Sequence, residues 1–427
     1  MLHSIQKRAE FLIRLVEQFS VSGLSFISLA FLGRVLRNRE FADFVTVQAA
    51  LVFPQILAAV IWSNPSLVFA SKRFTSCIRS YATCLTVLIA ATAFVLSLVI
   101  LLICHLVIRP LSLDLAAAAI LSTIAWSCYD GCRRMSYATQ TGERLIHASF
   151  ALVLIYGTWI GALCWLGKLT ATTAFFGLSL GSVVACFISV SRRAGKSEQG
   201  EGSTTFSEIA SCHWNYARWS IASVPAYYVA TQGFLLLGGR LLEDSDLGGL
   251  RAAQNIASIL TVVVLTVENR LVPQAAIILE NENVESLIQF ICAVYKKMLA
   301  AQVVLLPLFI IVNTFGFYLL YHSKYPGSTK LVPLFTLYQF MLLFSVPAQS
   351  AWCAQEKLNV AFLAHSVSAV LACVIGLPMM VRYGAIGGAI GFLISGSTYA
   401  SITVFLLWRQ RRMLFAERNS CLQVSRL

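Results

Sequence analysis

The sequence has few charged residues, no C-x-x-C pair and no Walker A motif. Asp, Glu, Lys and Arg make up 12% of its 427 residues, against about 25% in an average soluble domain. This scarcity excludes a soluble enzyme and a charge-rich disordered chain. The lack of a G-x-x-x-x-G-K-[ST] loop excludes ATP hydrolysis by this chain. Its twelve cysteines lack the spacing of a zinc site, so we predict no metal site.

Apolar residues are abundant instead. Hydrophobic types make up 58% of the chain, enough for about twelve helices of roughly 20 residues each. This predicts an all-α polytopic membrane protein with about 12 transmembrane helices. The first six predicted spans are Phe11–Leu36, Phe41–Ala70, Tyr81–Ile108, Leu115–Met135, Leu145–Leu166 and Thr170–Val190. The second six are Trp214–Leu237, Gly248–Val272, Ala293–Tyr321, Leu331–Cys353, Val360–Met380 and Tyr383–Trp408.

One polar stretch, Ser191–Ser207, separates the two sets of six. Its Gly, Ser and charge content (SRRAGKSEQGEGSTTFS) is typical of a flexible linker. We therefore predict an N-terminal six-helix lobe at 1–190, a linker at 191–211, a C-terminal lobe at 212–408 and a basic tail at 409–427.

The basic residues are distributed unequally between the two sides of the membrane. The chain has 32 Lys and Arg against 19 Asp and Glu, a net charge of +13. In the predicted topology most of the basic residues lie on the side that holds both termini and the linker. The positive-inside rule then predicts cytoplasmic termini in a bacterial inner membrane. Basic clusters in short loops also favour membrane lipids as partners and argue against nucleic acid.

The two halves contain a weak internal repeat. The segment Gly33-Arg34-Val35-Leu36 aligns with Gly239-Arg240-Leu241-Leu242, each in the turn after the first helix of its half. Further matches at the same offset pair Glu40 with Asp246, Phe41 with Leu247, Phe44 with Leu250, and Gln48 with Gln254. Both halves begin on the same side with six helices, so the repeat is parallel. A structural role in this turn is predicted for Arg34 and Arg240.

Three segments resemble one known family. They are LGRVLRNREFADFVTVQAA, HWNYARW followed by LLGGRLLEDSDLGGLRAAQNIAS, and AQEKLNVAFLAHSVSAVLACVIGLPMMVRYGAIGGAIGFLIS. Together they resemble the Wzx-type polysaccharide flippases of the multidrug/oligosaccharidyl-lipid/polysaccharide (MOP) exporter superfamily. The resemblance covers nearly the whole chain, with Ala42 standing where the family usually has a glycine.

The resemblance implies a MATE-like fold and a transport function. It implies two six-helix lobes around a central cavity, which flip an undecaprenyl-pyrophosphate-linked oligosaccharide repeat unit to the periplasmic leaflet. This step serves lipopolysaccharide or exopolysaccharide biosynthesis. The implied partners are the lipid-linked oligosaccharide, membrane lipids and other polysaccharide assembly proteins.

Ionisable residues inside spans are candidates for binding the pyrophosphate. Arginine suits this ligand because its planar guanidinium group matches the geometry of phosphate oxygens. A charged residue within a membrane span is energetically costly, so its presence there indicates a function. Arg14 and Glu17 lie three residues apart on the first helix and can pair. Arg218 and Arg270 lie near cytoplasmic helix ends, and Glu268 can either hold Arg270 or titrate. The alternative is that Arg218 and Arg270 are interfacial anchors.

Amides deeper in the spans are candidates for binding sugar hydroxyl groups. These are Gln48, Gln232 and Gln254, for which interhelical hydrogen bonding is the alternative role. No catalytic residue and no bound cofactor are predicted. A coupling ion, Na⁺ or H⁺, is left open.

Two other functions compete with the flippase. The first is an ion-coupled multidrug exporter of the same superfamily, which a cavity lined by acidic residues would favour. The second is a membrane polysaccharide polymerase or ligase. Such enzymes use a large periplasmic loop, whereas the predicted outward loops here are short, so we predict that the protein is not an enzyme.

Overall fold

The computed structural model describes residues 2–138, 142–190, 204–321 and 323–424, and within them every regular element is helical. The first half contains α1 (Leu2–Val35), α2 (Asn38–Ala58), α3 (Asn64–Lys72), α4 (Ile78–Ile103), α5 (Leu113–Ala138), α6 (Gly142–Trp165) and α7 (Ala171–Val190). The second half contains α8 (Phe206–Leu241), α9 (Asp244–Ala257), α10 (Ile259–Asn281), α11 (Val284–Tyr321), α12 (Leu331–Ala354), α13 (Leu358–Leu371) and α14 (Leu377–Val424). Single π-helical turns at Ala59–Ser63, Cys104–Ile108 and Ala372–Gly376 extend α2, α4 and α13.

The described helices provide enough apolar length for the twelve predicted crossings. Ten helical stretches are long and apolar enough to span a bilayer, and Phe19–Val35 of α1 is a shorter apolar stretch. One of the ten, Asn359–Leu414, has 56 residues, which at about 1.5 Å per residue is more than twice the thickness of a bilayer. Gly384 interrupts it with φ 61° and ψ −139°, so its length and this break match the two crossings predicted at Val360–Met380 and Tyr383–Trp408. Each predicted span overlaps one or more of the described helices.

One predicted span is not a continuous helix. Gly248–Val272 was expected to be uninterrupted, but Ser258 separates α9 from α10. The Ser258 hydroxyl donates to the carbonyl oxygen of Asn255 over 2.6 Å. A serine side chain that bonds to nearby backbone competes with the helical hydrogen bonds, which accounts for the break.

The chain forms two compact units. The first comprises Met1–Pro225 and Leu235–Gly248, and the second comprises Ala226–Phe234 and Gly249–Leu427. In the first unit α5 packs mainly against α7 and α4, and in the second α12 packs mainly against α14 and α10. The fourth helix of each half therefore packs against the sixth. The predicted lobe boundaries at 190 and 212 stay a prediction.

Candidate functional site

A carboxylate lies fully buried inside the first unit. Glu17 on α1 has 0% of its surface exposed. Its Oε1 lies 3.4 Å from Arg133 Nη1 on α5 and accepts a 3.1 Å hydrogen bond from Ser149 Oγ on α6. Its Oε2 accepts from the hydroxyl of Tyr137. A buried carboxylate needs this number of partners, because an unpaired charge in an apolar interior is costly.

The network continues along α5. Asp130 Oδ1 lies 3.2 Å from Arg133 Nη2, and its Oδ2 lies 2.8 Å from Arg134 Nε. The spacings of three and four residues place all three side chains on one face of the helix. Two carboxylates and two guanidinium groups therefore balance, and the cluster of Glu17, Asp130, Arg133 and Arg134 has no net charge. We call it the α5 ion network.

Sequence reasoning found Glu17 but not the rest of this network. The spacing of Asp130, Arg133 and Arg134 within α5 could have predicted their ion pairs. The contact between Arg133 and Glu17 could not have been predicted in this way, because the two residues are far apart in sequence. Arg14 was predicted to pair with Glu17, and its side chain lies outside the described residues. The contacts described for Glu17 are those made by Arg133, Tyr137 and Ser149.

A second polar cluster lies inside the second unit. Glu268 Oε1 on α10 accepts a 3.1 Å hydrogen bond from Gln349 Nε2 on α12. Gln349 Oε1 in turn accepts a 3.2 Å bond from the Tyr399 hydroxyl on α14. The ring of His365 stacks on Tyr399 with centroids 4.4 Å apart, and Tyr227 meets His365 edge-on at 5.1 Å. Five helices thus bring a carboxylate, an amide and three rings together.

The predicted contact between Glu268 and Arg270 is absent from the described structure. The two residues are two positions apart, so they project about 200° apart around α10 and cannot face each other. Glu268 is half-buried and bonds to Gln349, whereas Arg270 is exposed. Within the described residues, no ion pair includes either side chain.

The remaining predicted residues are distributed between the two units. Gln48 is half-buried and Arg218 is exposed, and both belong to the first unit. In the second unit Gln232 is half-buried and Gln254 is buried. Gln254 Oε1 accepts a 2.6 Å hydrogen bond from Arg251 Nη1 within α9, so this bond is not interhelical, and the sugar-binding role of Gln254 stays a prediction. In the described part of the chain, no group of three or more His, Cys, Asp and Glu residues could hold a metal ion.

A buried histidine joins α8 to the first half, and sequence reasoning missed it. His213 is fully buried and precedes the span Ser220–Leu241. Its Nδ1 lies 3.0 Å from the carbonyl oxygen of Ile61, and its Nε2 lies 2.9 Å from the Tyr81 hydroxyl. Ile61 belongs to the π-helical turn Ala59–Ser63. Nδ1–H donation to Ile61 and acceptance from Tyr81 by Nε2 fit a neutral imidazole.

This geometry predicts a loss of stability in acid. Burial lowers the pKa of His213 to about 4, whereas in the unfolded chain it is about 6.5. The unfolded state binds the proton first, so the stability from neutral His213 is complete above about pH 6.5 and is lost as the pH falls towards 4. The full effect is on the order of 3 kcal/mol. Thermal unfolding of the detergent-solubilised protein across this pH range measures it.

His213→Gln should remove this part of the pH dependence, because the amide does not titrate. His147→Gln is the matched control, since His147 is exposed and should leave the profile unchanged. A His213→Gln profile that keeps the slope of the unsubstituted protein would contradict the assignment.

Comparison with known proteins identifies the fold. No protein-family model matches the sequence, and no curated protein matches it. Among solved structures, it is similar to an inward-facing multidrug resistance MATE transporter of the MOP superfamily, with a TM-score of 0.71 and 12% identity over 95% of this chain and 96% of that chain. The chain has a MATE-like transporter fold. The predicted fold class is confirmed.

Two further similar structures show the range of proteins with this fold. The lipid II flippase MurJ, in an inward closed conformation, has a TM-score of 0.60 and 13% identity over 93% of this chain and 87% of that chain. A MOP superfamily transporter from Pyrococcus furiosus, described as having a binding pocket of reversed polarity, has a TM-score of 0.56 and 15% identity over 96% of this chain and 93% of that chain. The similar structures are thus transporters and flippases, and the Wzx subtype stays a prediction.

Proposed function

We propose that the protein is a flippase for undecaprenyl-pyrophosphate-linked oligosaccharides, which moves them from the cytoplasmic to the periplasmic leaflet by alternating access. The observation that carries this proposal is the balance of charge inside the helices. Glu17 and Asp130, the acidic side chains of the α5 ion network, are paired with arginines. Arg218 and Arg270 are exposed; contrary to the expected position near a helix end, Arg270 lies midway along α10. Exposed guanidinium groups suit a pyrophosphate and oppose the binding of a cationic drug.

The fold supports the same proposal, because a MATE-like architecture is compatible with lipid-linked substrates. The similar structures include a flippase named for lipid II. In this proposal Arg14, Arg218 and Arg270 bind the head group, while Gln48, Gln232 and Gln254 bind sugar hydroxyls. The protein also lies, in this proposal, in the bacterial inner membrane with both termini in the cytoplasm.

One observation favours a second candidate, an ion-coupled multidrug exporter. Glu268 accepts a hydrogen bond from Gln349 but forms no ion pair with any described residue. A carboxylate beside the rings of Tyr227, His365 and Tyr399 has the composition of an organic-cation site, since cations bind over aromatic faces. Multidrug transport is also the activity named for one of the similar structures.

Deletion of the gene separates the two functions. If the flippase proposal is correct, the mutant should accumulate undecaprenyl-pyrophosphate oligosaccharide in its membranes and lose surface polysaccharide. Extracted membrane lipids, analysed by mass spectrometry with and without the plasmid-borne gene, test this. Unchanged lipids together with raised drug sensitivity would instead support the exporter.

A further inference from the structure

Two thiols on different helices of the first unit lie next to each other. Cys132 on α5 is buried, and Cys186 on α7 is half-buried. Their sulfur atoms are 3.5 Å apart, although the residues are 54 positions apart in sequence. Both side chains are in the thiol form. Cysteine spacing in the sequence did not indicate this pair, because it joins two helices that are not consecutive in the chain.

The two thiols lie where α5 and α7 pack together, which is a main helix contact of the first unit. Small buried side chains flank both of them. Ser182 and Ser189 lie one helical turn on either side of Cys186, and both are buried. Ser136, also buried, lies one turn after Cys132. Small residues let the backbones of neighbouring membrane helices approach each other, so helix packing brings the two sulfur atoms together.

A third cysteine nearby contacts a different helix. Cys128 lies one helical turn before Cys132 on α5 and is also buried. Its sulfur atom lies 3.9 Å from the carbonyl oxygen of Thr86 on α4. Cys128 and Cys132 thus contact different neighbours of α5, which makes Cys128 a matched control for the pair.

We propose that Cys132 and Cys186 are an oxidation site that forms a reversible disulfide between α5 and α7. Each cysteine has one side-chain torsion that moves its sulfur atom. Closing the gap from 3.5 Å to the disulfide length of about 2.0 Å therefore requires rotation about two bonds. In the predicted topology both thiols lie about one turn from the cytoplasmic ends of their helices. The cytoplasm keeps thiols reduced, so the disulfide forms when an oxidant such as hydrogen peroxide reaches the site.

The difference in exposure assigns the order of the two steps. Cys186 is the more exposed thiol, and accessible thiolates are oxidised first. Its thiolate attacks one oxygen atom of hydrogen peroxide, the O–O bond breaks, and a sulfenic acid and hydroxide form. The hydroxide takes up the proton that Cys186 lost. The Cys132 sulfur then attacks the Cys186 sulfur, loses its own proton and releases the sulfenic oxygen as water. Together the two thiols lose two electrons, and the peroxide is reduced to two water molecules.

Differential alkylation of the full-length protein tests the proposal. Membranes that contain the protein are treated with hydrogen peroxide and then denatured in N-ethylmaleimide, which blocks the remaining thiols. After reduction, deuterated N-ethylmaleimide labels the thiols that had been in disulfides, and mass spectrometry locates the label. It should appear at Cys132 and Cys186 to the same extent, and dithiothreitol added before the first alkylation should remove it. Cys128 should stay at the level of the untreated membranes.

Substitutions separate the proposed pair from other disulfides. Cys186→Ser should abolish the label at Cys132, and Cys132→Ala should abolish it at Cys186, so either variant suffices if the other does not fold. In Cys132→Ala the sulfenic acid at Cys186 lacks its partner thiol, so dimedone should trap it. Cys128→Ser, the matched control, should leave the labels at both residues unchanged.

Two results would overturn the proposal. One is a label at Cys132 that survives Cys186→Ser, which would show that Cys132 pairs with a different thiol. The other is the absence of label from both residues in peroxide-treated membranes. No substrate enters this assay, so failure of the flippase proposal would leave its outcome unaffected.

Discussion

Replacing Arg133 with methionine should destabilise the first unit by about 3–5 kcal/mol, the usual effect of removing one partner of a buried ion pair. Arg133 is the residue that neutralises Glu17, whose carboxylate is fully buried. Methionine fills the same space with an apolar chain, so the main change is a buried carboxylate left without its cation. Thermal unfolding in detergent should show a large fall in Tm, together with a lower yield of folded protein.

Two variants separate charge from packing in this prediction. Arg134→Met is the matched control, since Arg134 lies next in α5 and is 29% exposed against 14% for Arg133. Its effect should be smaller than that of Arg133→Met, because Arg134 is more exposed and Asp130 keeps Arg133 as a partner. Adding Glu17→Gln to Arg133→Met should restore much of the lost Tm, because the buried carboxylate is then gone. No rescue by Glu17→Gln would show that Arg133 acts through packing alone.

The sequence predicted the helical crossings because their signal is local. Each crossing needs about 20 consecutive apolar residues, and the charges that flank them mark the ends. The break at Ser258 was missed because hydropathy continues through it from α9 into α10. The structural role predicted for Arg240 agrees with its hydrogen bond to Val107, whereas the same role for the exposed Arg34 and the internal repeat stay predictions.

The candidate sites were only partly predictable, because most of their contacts join residues far apart in sequence. Asp130, Arg133 and Arg134 share a helix face and could be found from spacing. Glu17 meets Arg133 across 116 positions, and nothing local marks that contact. His213 is a single polar residue beside Trp214, and its partner Ile61 is a backbone carbonyl in a π-helical turn, which side-chain patterns do not reveal.

Substitution of Arg270 should have the largest effect on transport among the described arginines. A pyrophosphate head group carries two or more negative charges, and moving it out of water needs cationic partners. Arg270 lies within the span Ile259–Asn281, and its side chain is exposed. It forms no ion pair with a carboxylate among the described residues. In the flippase proposal this guanidinium group binds the head group, and Arg14 and Arg218 complete the set.

Arg270→Ala should therefore lower translocation at least tenfold, which corresponds to about 1.4 kcal/mol or more of lost interaction. Arg270→Lys should retain part of the activity, because lysine keeps the charge but lacks the planar fork that matches two phosphate oxygens. Surface polysaccharide and cytoplasm-facing lipid-linked oligosaccharide are measured together at matched protein levels. Arg382→Ala is the control, because Arg382 is also exposed but lies on the other side of the membrane in the predicted topology. Arg382 is next to Tyr383, close to the break in α14 at Gly384. Normal surface polysaccharide in Arg270→Ala at a normal protein level would show that Arg270 anchors α10 at the membrane interface and does not bind the head group.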